Sequence, residues 1–146
     1  MTTELLPIPP VDTATDPIAS GADLRQRWRA LMGPLGFGER LLRFAFVGPD
    51  RCMMKVLSEM PIGANPPPGD VDQLMSALRE LVSDLGAGTT VALLLTRPGV
   101  GGISGADRRW AAALTDAAQR FDVPIEPIFR ANDEAIVSLG EVAVRR

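Results

Sequence analysis

The sequence predicts a mixed α/β domain whose elements follow the order α-β-β-α-β-α-β-β around a mixed sheet. Three patterns predict this class: an amphipathic helical stripe over residues 70–85, an unbroken aliphatic run at Val91–Leu95, and two β-compatible segments around a Gly-Pro-Asp-Arg turn at residues 48–51. The chain has 146 residues, of which 46% are hydrophobic and 23% charged, as in one globular domain. We therefore expect a single domain over residues 21–146.

The first 20 residues differ in composition from the rest of the chain. They contain four prolines among small polar residues, and the first 15 include no Lys or Arg and no apolar segment typical of a signal peptide. We expect a mobile or loosely docked tail over residues 1–20.

A first helix is expected over Ala22–Met32, with Ser20 or Gly21 as its N-cap and a Gly-Pro pair after it. Apolar residues recur at helical spacing. They are Leu24, Trp28 and Leu31. Three arginines, at positions 25, 27 and 29, lie between them. Acidic residues elsewhere offset their charge, so we expect a solvated helix face rather than a phosphate-binding strip.

Leu41–Val47 and Cys52–Glu59 are predicted to form a hairpin. Cys52 opens the second strand. Because the chain contains no histidine that could activate this thiol, we expect a small buried apolar residue rather than a nucleophile.

The clearest helix follows a proline-rich loop at residues 66–69, with Asp70 as the expected N-cap and Gly86 at its end. Its apolar stripe must cover a sheet. The stripe consists of Val71, Leu74, Met75, Leu78, Leu81, Val82 and Leu85. We expect Val91–Leu95 to be the central strand of that sheet, buried on both faces.

The remaining elements follow a glycine-rich loop. Ser104 and Asp107 form an S-x-x-D capping box that starts a third helix, which runs to about Phe121. Val123–Phe129 alternates like a strand, although its two prolines restrict it to an edge or to irregular pairing. A turn and a last strand, near residues 135–139, complete the order.

Composition excludes several classes of function. With no histidine and one cysteine, the chain holds no His-ligated zinc, Ser-His-Asp triad, internal disulfide or CxxC pair, and the single thiol fits a reducing cytosol. The net charge of -3 is unlike the basic footprint of nucleic-acid-binding proteins. The longest aliphatic run is far shorter than the roughly 20 residues of a membrane span. We expect a cytoplasmic protein with neither a nucleic-acid nor a membrane partner.

The sequence places its candidate binding or catalytic site at the loop that follows Leu95, because ligands of α/β folds bind where a strand ends and a helix begins. Glycines such as Gly99 let backbone N–H groups converge, and Arg97 supplies a cation. An anion- or nucleotide-binding sensor or enzyme is therefore one hypothesis. The loop lacks the Gly-Lys-Ser/Thr of a P-loop and the spacing of G-x-G-x-x-G, and a flexible connection also explains its glycines.

This region also resembles a known family. The strand, x-x-Arg97-Pro98-Gly99, Ser104-x-x-Asp107 and the following helix resemble the RadC-like branch of the JAB/MPN (JAMM) metalloprotease-fold superfamily, whose motif is H-x-H-P, a short spacer and S-x-x-D. The resemblance covers about residues 41–139. It implies a three-layer, cytidine-deaminase-like arrangement and, in active members, a zinc ion held by the two histidines and the aspartate.

The departures from the motif change the expected function. Aligning Pro98 with the motif proline places Leu95 and Arg97 at the two histidine positions, where neither side chain ligates zinc. We expect no metal, no cofactor and no catalytic residue. The simpler interpretation makes Ser104 and Asp107 only a helix cap. A sharper hypothesis pairs the Arg97 guanidinium with Asp107 in place of the metal.

The resemblance implies a role as an interaction module, because catalytically empty members of the superfamily serve as scaffolds. We therefore expect a protein partner or a homo-oligomer, with the anion-binding sensor or enzyme as the alternative.

Overall fold

Three helices and five strands follow one another in the predicted order within residues 8–139, the part of the chain that this computed structural model describes. The helices are Gly21–Met32 (α1), Pro68–Leu85 (α2) and Gly105–Arg120 (α3). The strands are Leu41–Val47 (β1), Met53–Pro61 (β2), Thr90–Thr96 (β3), Phe129–Ala131 (β4) and Ile136–Ser138 (β5). A 3₁₀ turn, Val11–Thr15, precedes α1. Residues 1–7 of the expected tail and 140–146 of the expected domain lie outside the described range.

The described strands form one mixed sheet in the order β2-β1-β3-β4-β5. β1 is antiparallel to both of its neighbours, β3 and β4 are parallel, and β5 is antiparallel to β4. β3 therefore lies at the centre, and its residues 91–96 are all buried, which confirms the expected central strand. An unbroken aliphatic run suits this position because both of its faces are covered.

Helices cover both faces of the sheet. Alternation along β3 sends Val91, Leu93 and Leu95 into a core beneath α2 and α3, whereas Ala92 and Leu94 pack with Trp28 of α1 on the other face. The molecule thus has an α layer, a β layer and a second α layer. No helix within the described residues is both long and apolar enough to cross a bilayer.

Two residues of the expected tail are buried against the domain. Ala14 and Ile18 are buried, with 3% and 2% of their surface exposed. The Ile18 N–H donates to the carbonyl of Arg51 at 2.8 Å, and Arg27 donates to two carbonyls of the same segment. Apolar burial and backbone hydrogen bonds outweigh the local preference of this proline-rich stretch for disorder.

The arginines of α1 bind backbone carbonyls, so the expected solvated face is wrong. Arg29 is buried, and the Nε of Arg25 donates to the carbonyl of Ile136 at 2.7 Å. The N-cap is Ser20, whose hydroxyl accepts the N–H of Asp23. The hydrogen bonds of these arginines hold α1 against its neighbouring segments.

The second hairpin strand starts one residue later than predicted. Cys52 precedes β2 and is half-buried, so it is not the core residue that the pattern suggested. Its N–H donates to the side chain of Asp50 at 3.1 Å, which holds it in the turn.

Helix α2 begins before Asp70, and the prediction of Asp70 as its N-cap is wrong. The cap is Pro67, and Pro68 occupies the first helical position. The fixed φ of proline suits this position, where the backbone N–H would have no intrahelical partner. Four residues of the predicted stripe are buried: Val71, Met75, Leu78 and Val82. Leu81 and Leu85 are 44% and 45% exposed, because the stripe is wider than the surface that it covers.

The returning strand lies later in the sequence than predicted. In the predicted range Val123–Phe129, Ile125 forms an isolated bridge with Val91, and regular pairing starts only at Phe129. Pro124 and Pro127 lack the N–H groups that a continuous ladder requires, which explains the irregular pairing. β4 is not an edge strand, since β3 and β5 flank it.

Candidate functional site

The end of β3 and the start of α3 bring the two central predicted residues together. Arg97 follows β3 directly, and its backbone N–H donates to the carbonyl of Ala131 at 3.0 Å. Asp107 is the third residue of α3. The Ser104 hydroxyl accepts the backbone N–H of Asp107 at 3.1 Å, and Oδ2 of Asp107 accepts the backbone N–H of Ser104 at 2.9 Å. The predicted capping box is confirmed.

The Asp107 carboxylate also binds Arg97 through two parallel hydrogen bonds. Nε donates to Oδ1 at 2.9 Å, and Nη2 donates to Oδ2 at 3.0 Å. The two side chains are 10% and 1% exposed. The hypothesis of an Arg97–Asp107 pair is therefore confirmed, and the capping interpretation holds as well, because one carboxylate serves both roles. Bidentate geometry of this kind is the strongest form of a charged hydrogen bond.

A second buried guanidinium, that of Arg130 in β4, completes the cluster. Its Nη1 lies 3.6 Å from Oδ2 of Asp107, and only 1% of its side chain is exposed. Arg130 was not among the predicted site residues, since the predicted strand ended at Phe129. A single arginine within the apolar stretch 128–131 was the available signal, but only the register of β3 and β4, which pairs Leu95 with Arg130, shows its position.

The glycine-rich loop turns its carbonyl groups toward these cations. The carbonyl of Gly102 accepts from Arg97 Nη2 at 3.1 Å and from Arg130 Nη1 at 3.0 Å. The carbonyl of Gly101 accepts from the Asn132 amide at 2.9 Å. The inner side of the loop thus presents acceptors to two guanidinium groups and one side-chain amide of the protein itself.

The N–H groups of the same loop bind two carboxylates from the turn between β4 and β5. Gly99 donates to Asp133 Oδ2, and Gly101 donates to Glu134 Oε1, each at 2.8 Å. Both glycines have φ near +100°, a conformation that side chains disfavour. Two of the donors that could receive an external anion are therefore already occupied by anions of this chain.

Burial and charge act in opposite directions on the acidic member of the cluster. Burial raises the pKa of Asp107, but hydrogen bonds from Arg97 and the Ser104 N–H, with the charges of Arg97 and Arg130, lower this pKa below its ordinary value overall. Burial is also the main cause that lowers the pKa of Arg130, against the raising effect of the Asp107 charge. Asp107 therefore remains an anion between two cations at neutral pH.

The six predicted site residues do not all meet. Arg97, Ser104 and Asp107 form the cluster, Gly99 contributes its N–H to the neighbouring turn, and the carbonyl of Pro98 lies 3.4 Å from Arg97 Nη1. Leu95, which the alignment places at a histidine position of the motif, is not part of the polar cluster. It is 4% exposed and belongs to the apolar core beneath α2 and α3.

No metal centre is seen at this cluster among residues 8–139. Within residues 8–139 no group of three or more His, Cys, Asp or Glu side chains is placed to hold a metal ion. An apolar cavity of about 290 Å³ lies elsewhere, between the 3₁₀ turn, α1 and β2, and a polar depression lies near the ends of α2 and α3. Arg97 and Asp107 line neither of them.

Comparisons of the chain with protein-family models, with curated proteins and with solved structures found no match.

Proposed function

We propose that the chain is a non-catalytic domain of the JAB/MPN type, related to the RadC-like branch, that acts as a protein-interaction or scaffold module. The buried Arg97–Asp107 pair is the observation that carries this proposal. With Pro98 aligned to the motif proline, Arg97 stands at a histidine position and Asp107 at the metal-binding aspartate. On that alignment, their bidentate contact supports the proposal, because it pairs a cation of the chain with the carboxylate that the motif assigns to the metal.

The architecture supports the same proposal at the level of fold class. The resemblance implies a three-layer arrangement, and over residues 41–139 the order β-β-α-β-α-β-β. The described residues have this order over that range, and helices lie on both faces of their mixed sheet, one of these helices being α1, which precedes the range.

The chemistry of the cluster argues against catalysis there. The oxygens of Asp107 accept hydrogen bonds from Arg97 and from the Ser104 N–H, so a metal ion would have to displace them. A divalent ion would also lie close to two buried guanidinium groups, which would repel it. A carboxyl group with a lowered pKa is a poor proton donor near pH 7. The cluster is better suited to holding β3, α3 and β4 together than to changing a substrate.

The alternative, an anion- or nucleotide-binding sensor or enzyme, depends on the same loop. An external phosphate would have to replace Asp133 at Gly99 and Glu134 at Gly101, in competition with groups that the fold already holds in place. The geometry therefore favours the scaffold function.

The proposed function is tested by mass analysis of the purified chain and by recovery of bound proteins from cells that produce it. Self-association, or a protein that co-purifies in fixed stoichiometry and rebinds the purified chain, is the expected result. A strict monomer that recovers no stoichiometric partner would overturn the scaffold role. Zinc retained at one ion per chain, or peptidase activity that a chelator abolishes, would overturn the non-catalytic assignment.

A further inference from the structure

We propose that the apolar cavity between the 3₁₀ turn, α1 and β2 binds a free α-amino acid with an apolar side chain, such as leucine or phenylalanine. Lys55 binds the carboxylate of this ligand, Asp12 binds its ammonium group, and the cavity takes up its side chain. The inference goes beyond the proposed scaffold function and does not depend on it, because Arg97 and Asp107 line no part of this cavity.

Buried apolar residues form the inner wall of the cavity. Ala14 of the 3₁₀ turn, Ala45 of β1 and Met53 of β2 line it, and each is at most 3% exposed. Two of these side chains are single methyl groups, which leave space that a larger side chain would fill. The volume of about 290 Å³ lies at the lower end of the roughly 300–1,000 Å³ that is usual for small-molecule sites. The cavity therefore suits a molecule of amino-acid size and is too small for a nucleotide.

Large apolar side chains are exposed at the same cavity. Val11, Val56 and Leu57 line it and are 68%, 61% and 38% exposed. The first belongs to the 3₁₀ turn and the other two to β2, so exposed apolar surface borders the cavity on two of its sides. An apolar side chain placed between them would remove this surface from water, which is the main favourable contribution to such binding.

The irregular part of β2 lies at the cavity. The register with β1 shifts between Ala45 and Val47, so residues 54–56 have no paired residue on β1. In a regular strand, successive side chains point to opposite faces of the sheet. Here all five residues from 53 to 57 line one cavity. Because a bulge redirects side chains and also makes an edge strand a poor template for another strand, this irregularity favours a small molecule over a β-strand as the occupant.

Two opposite charges without partners border the cavity. Asp12 and Lys55 are exposed residues of its lining, and neither side chain forms an ion pair or a hydrogen bond with any residue that the structure describes. A carboxylic acid would satisfy only the lysine, and an amine only the aspartate. A zwitterion satisfies both through charged hydrogen bonds. Apolar α-amino acids are the class of ligand that joins an ammonium and a carboxylate group to an apolar body.

Isothermal titration calorimetry of the full chain tests the site. Leucine and phenylalanine are each expected to bind at one molecule per chain, with a dissociation constant below about 1 mM. Isocaproic acid, which is leucine without its ammonium group, and isoamylamine, which is leucine without its carboxylate, are each expected to bind about tenfold or more weakly. Serine offers the same two charges without an apolar side chain and is not expected to bind.

Two variants at exposed positions assign the charges. Lys55→Gln and Asp12→Asn are each expected to raise the dissociation constant of leucine about tenfold. Lys55→Gln should leave the weak binding of isoamylamine unchanged, since this amine has no carboxylate, and Asp12→Asn should likewise leave that of isocaproic acid unchanged. Arg79→Gln and Asp84→Asn make the same changes of charge on exposed positions of α2, and as matched controls they should not alter leucine binding.

Hydrogen exchange with and without leucine supplies a second readout that does not depend on charge. Slower exchange is expected at residues 11–15 and 53–57, the two segments that face each other across the cavity. The middle of α2, which does not line the cavity, should exchange at the same rate in both samples.

No binding of leucine or phenylalanine at any concentration up to the solubility limit overturns this inference. Binding that neither Lys55→Gln nor Asp12→Asn weakens, or slower exchange only outside the two segments, also overturns it. Isocaproic acid or isoamylamine that binds as tightly as leucine overturns the assignment of a zwitterion. These results leave the proposed scaffold function standing, because that function is tested by mass and by recovery of a protein partner.

Discussion

The guanidinium of Arg97 and the carboxylate of Asp107 meet through two hydrogen bonds, of 2.9 and 3.0 Å, at a point where both side chains are nearly inaccessible to water. Transfer of two charges out of water is costly, so the net contribution of such a pair to stability is small compared with the cost of breaking it. Arg130 increases that cost, because removal of the carboxylate would leave two buried cations.

Asp107→Asn is expected to destabilise the fold by about 3 to 5 kcal/mol, the usual cost of leaving a buried charge without its partner. Urea unfolding measures this loss. Asp116→Asn on the same helix is the matched control, because its ion pair with Arg120 is exposed and contributes roughly 0 to 1 kcal/mol. Equal losses in the two variants would contradict the central role of Asp107.

A double-mutant cycle of Arg97→Ala and Asp107→Ala is expected to show a coupling free energy of about 0.5 to 3 kcal/mol, since the two groups contact each other directly. The same unfolding measurement on four chains, the wild type, both single variants and the double variant, supplies it. Additive effects would show that the pair does not stabilise the folded chain as its geometry indicates.

The stability contributed by Asp107 is expected to disappear in acid. Folding lowers the pKa of this carboxyl group below its ordinary value of about 3.9, so its contribution is complete above that value and is lost as the pH falls through the folded-state pKa. The difference in unfolding free energy between the wild type and Asp107→Asn should be constant from pH 7 to about pH 5 and should shrink below about pH 4. Glu126, whose pKa is also lowered, is present in both chains, so its main effect cancels. A difference that grows on acidification would contradict the assigned direction.

Gly101→Ala is expected to cost about 1 kcal/mol or more, because φ at this position is +99°. The cost comes from the backbone, since no atom lies within 4 Å of a β-carbon added there. Gly102→Ala is the control: it has the same open surroundings and no positive φ, and it should be nearly neutral. Thermal unfolding of the two variants distinguishes them, and similar melting temperatures would contradict the backbone explanation.

Local patterns in the sequence were sufficient to predict much of the fold. β1 and the S-x-x-D cap of α3 depend on residues close together in the chain, and both are confirmed. The unbroken aliphatic run of β3 by itself predicts a strand that is buried on both faces. The Arg97–Asp107 pair could also be predicted, because the two residues are only ten positions apart. One lies at the end of a strand and the other at the start of the following helix.

The features that sequence reasoning missed depend on distant parts of the chain. Ile18 is held by a backbone hydrogen bond to Arg51, and no local pattern predicts that contact. Arg130 enters the cluster because regular pairing with β3 starts only after Pro127, and the prediction had ended the strand at Phe129. The cap of α2 differed for a local reason, since the fixed φ of Pro68 favours an earlier start than Asp70.

Hydrogen bonds hold the connection between β3 and α3 from both sides. Its amide groups donate to side chains of the turn at residues 133–134, and its carbonyl groups accept from two guanidinium groups and from Asn132. We therefore expect hydrogen exchange at the Gly99 and Gly101 amides to be slowed by these hydrogen bonds. We also expect the two segments, more than thirty positions apart in the chain, to open and close together, whereas glycine-rich composition alone would suggest independent motion.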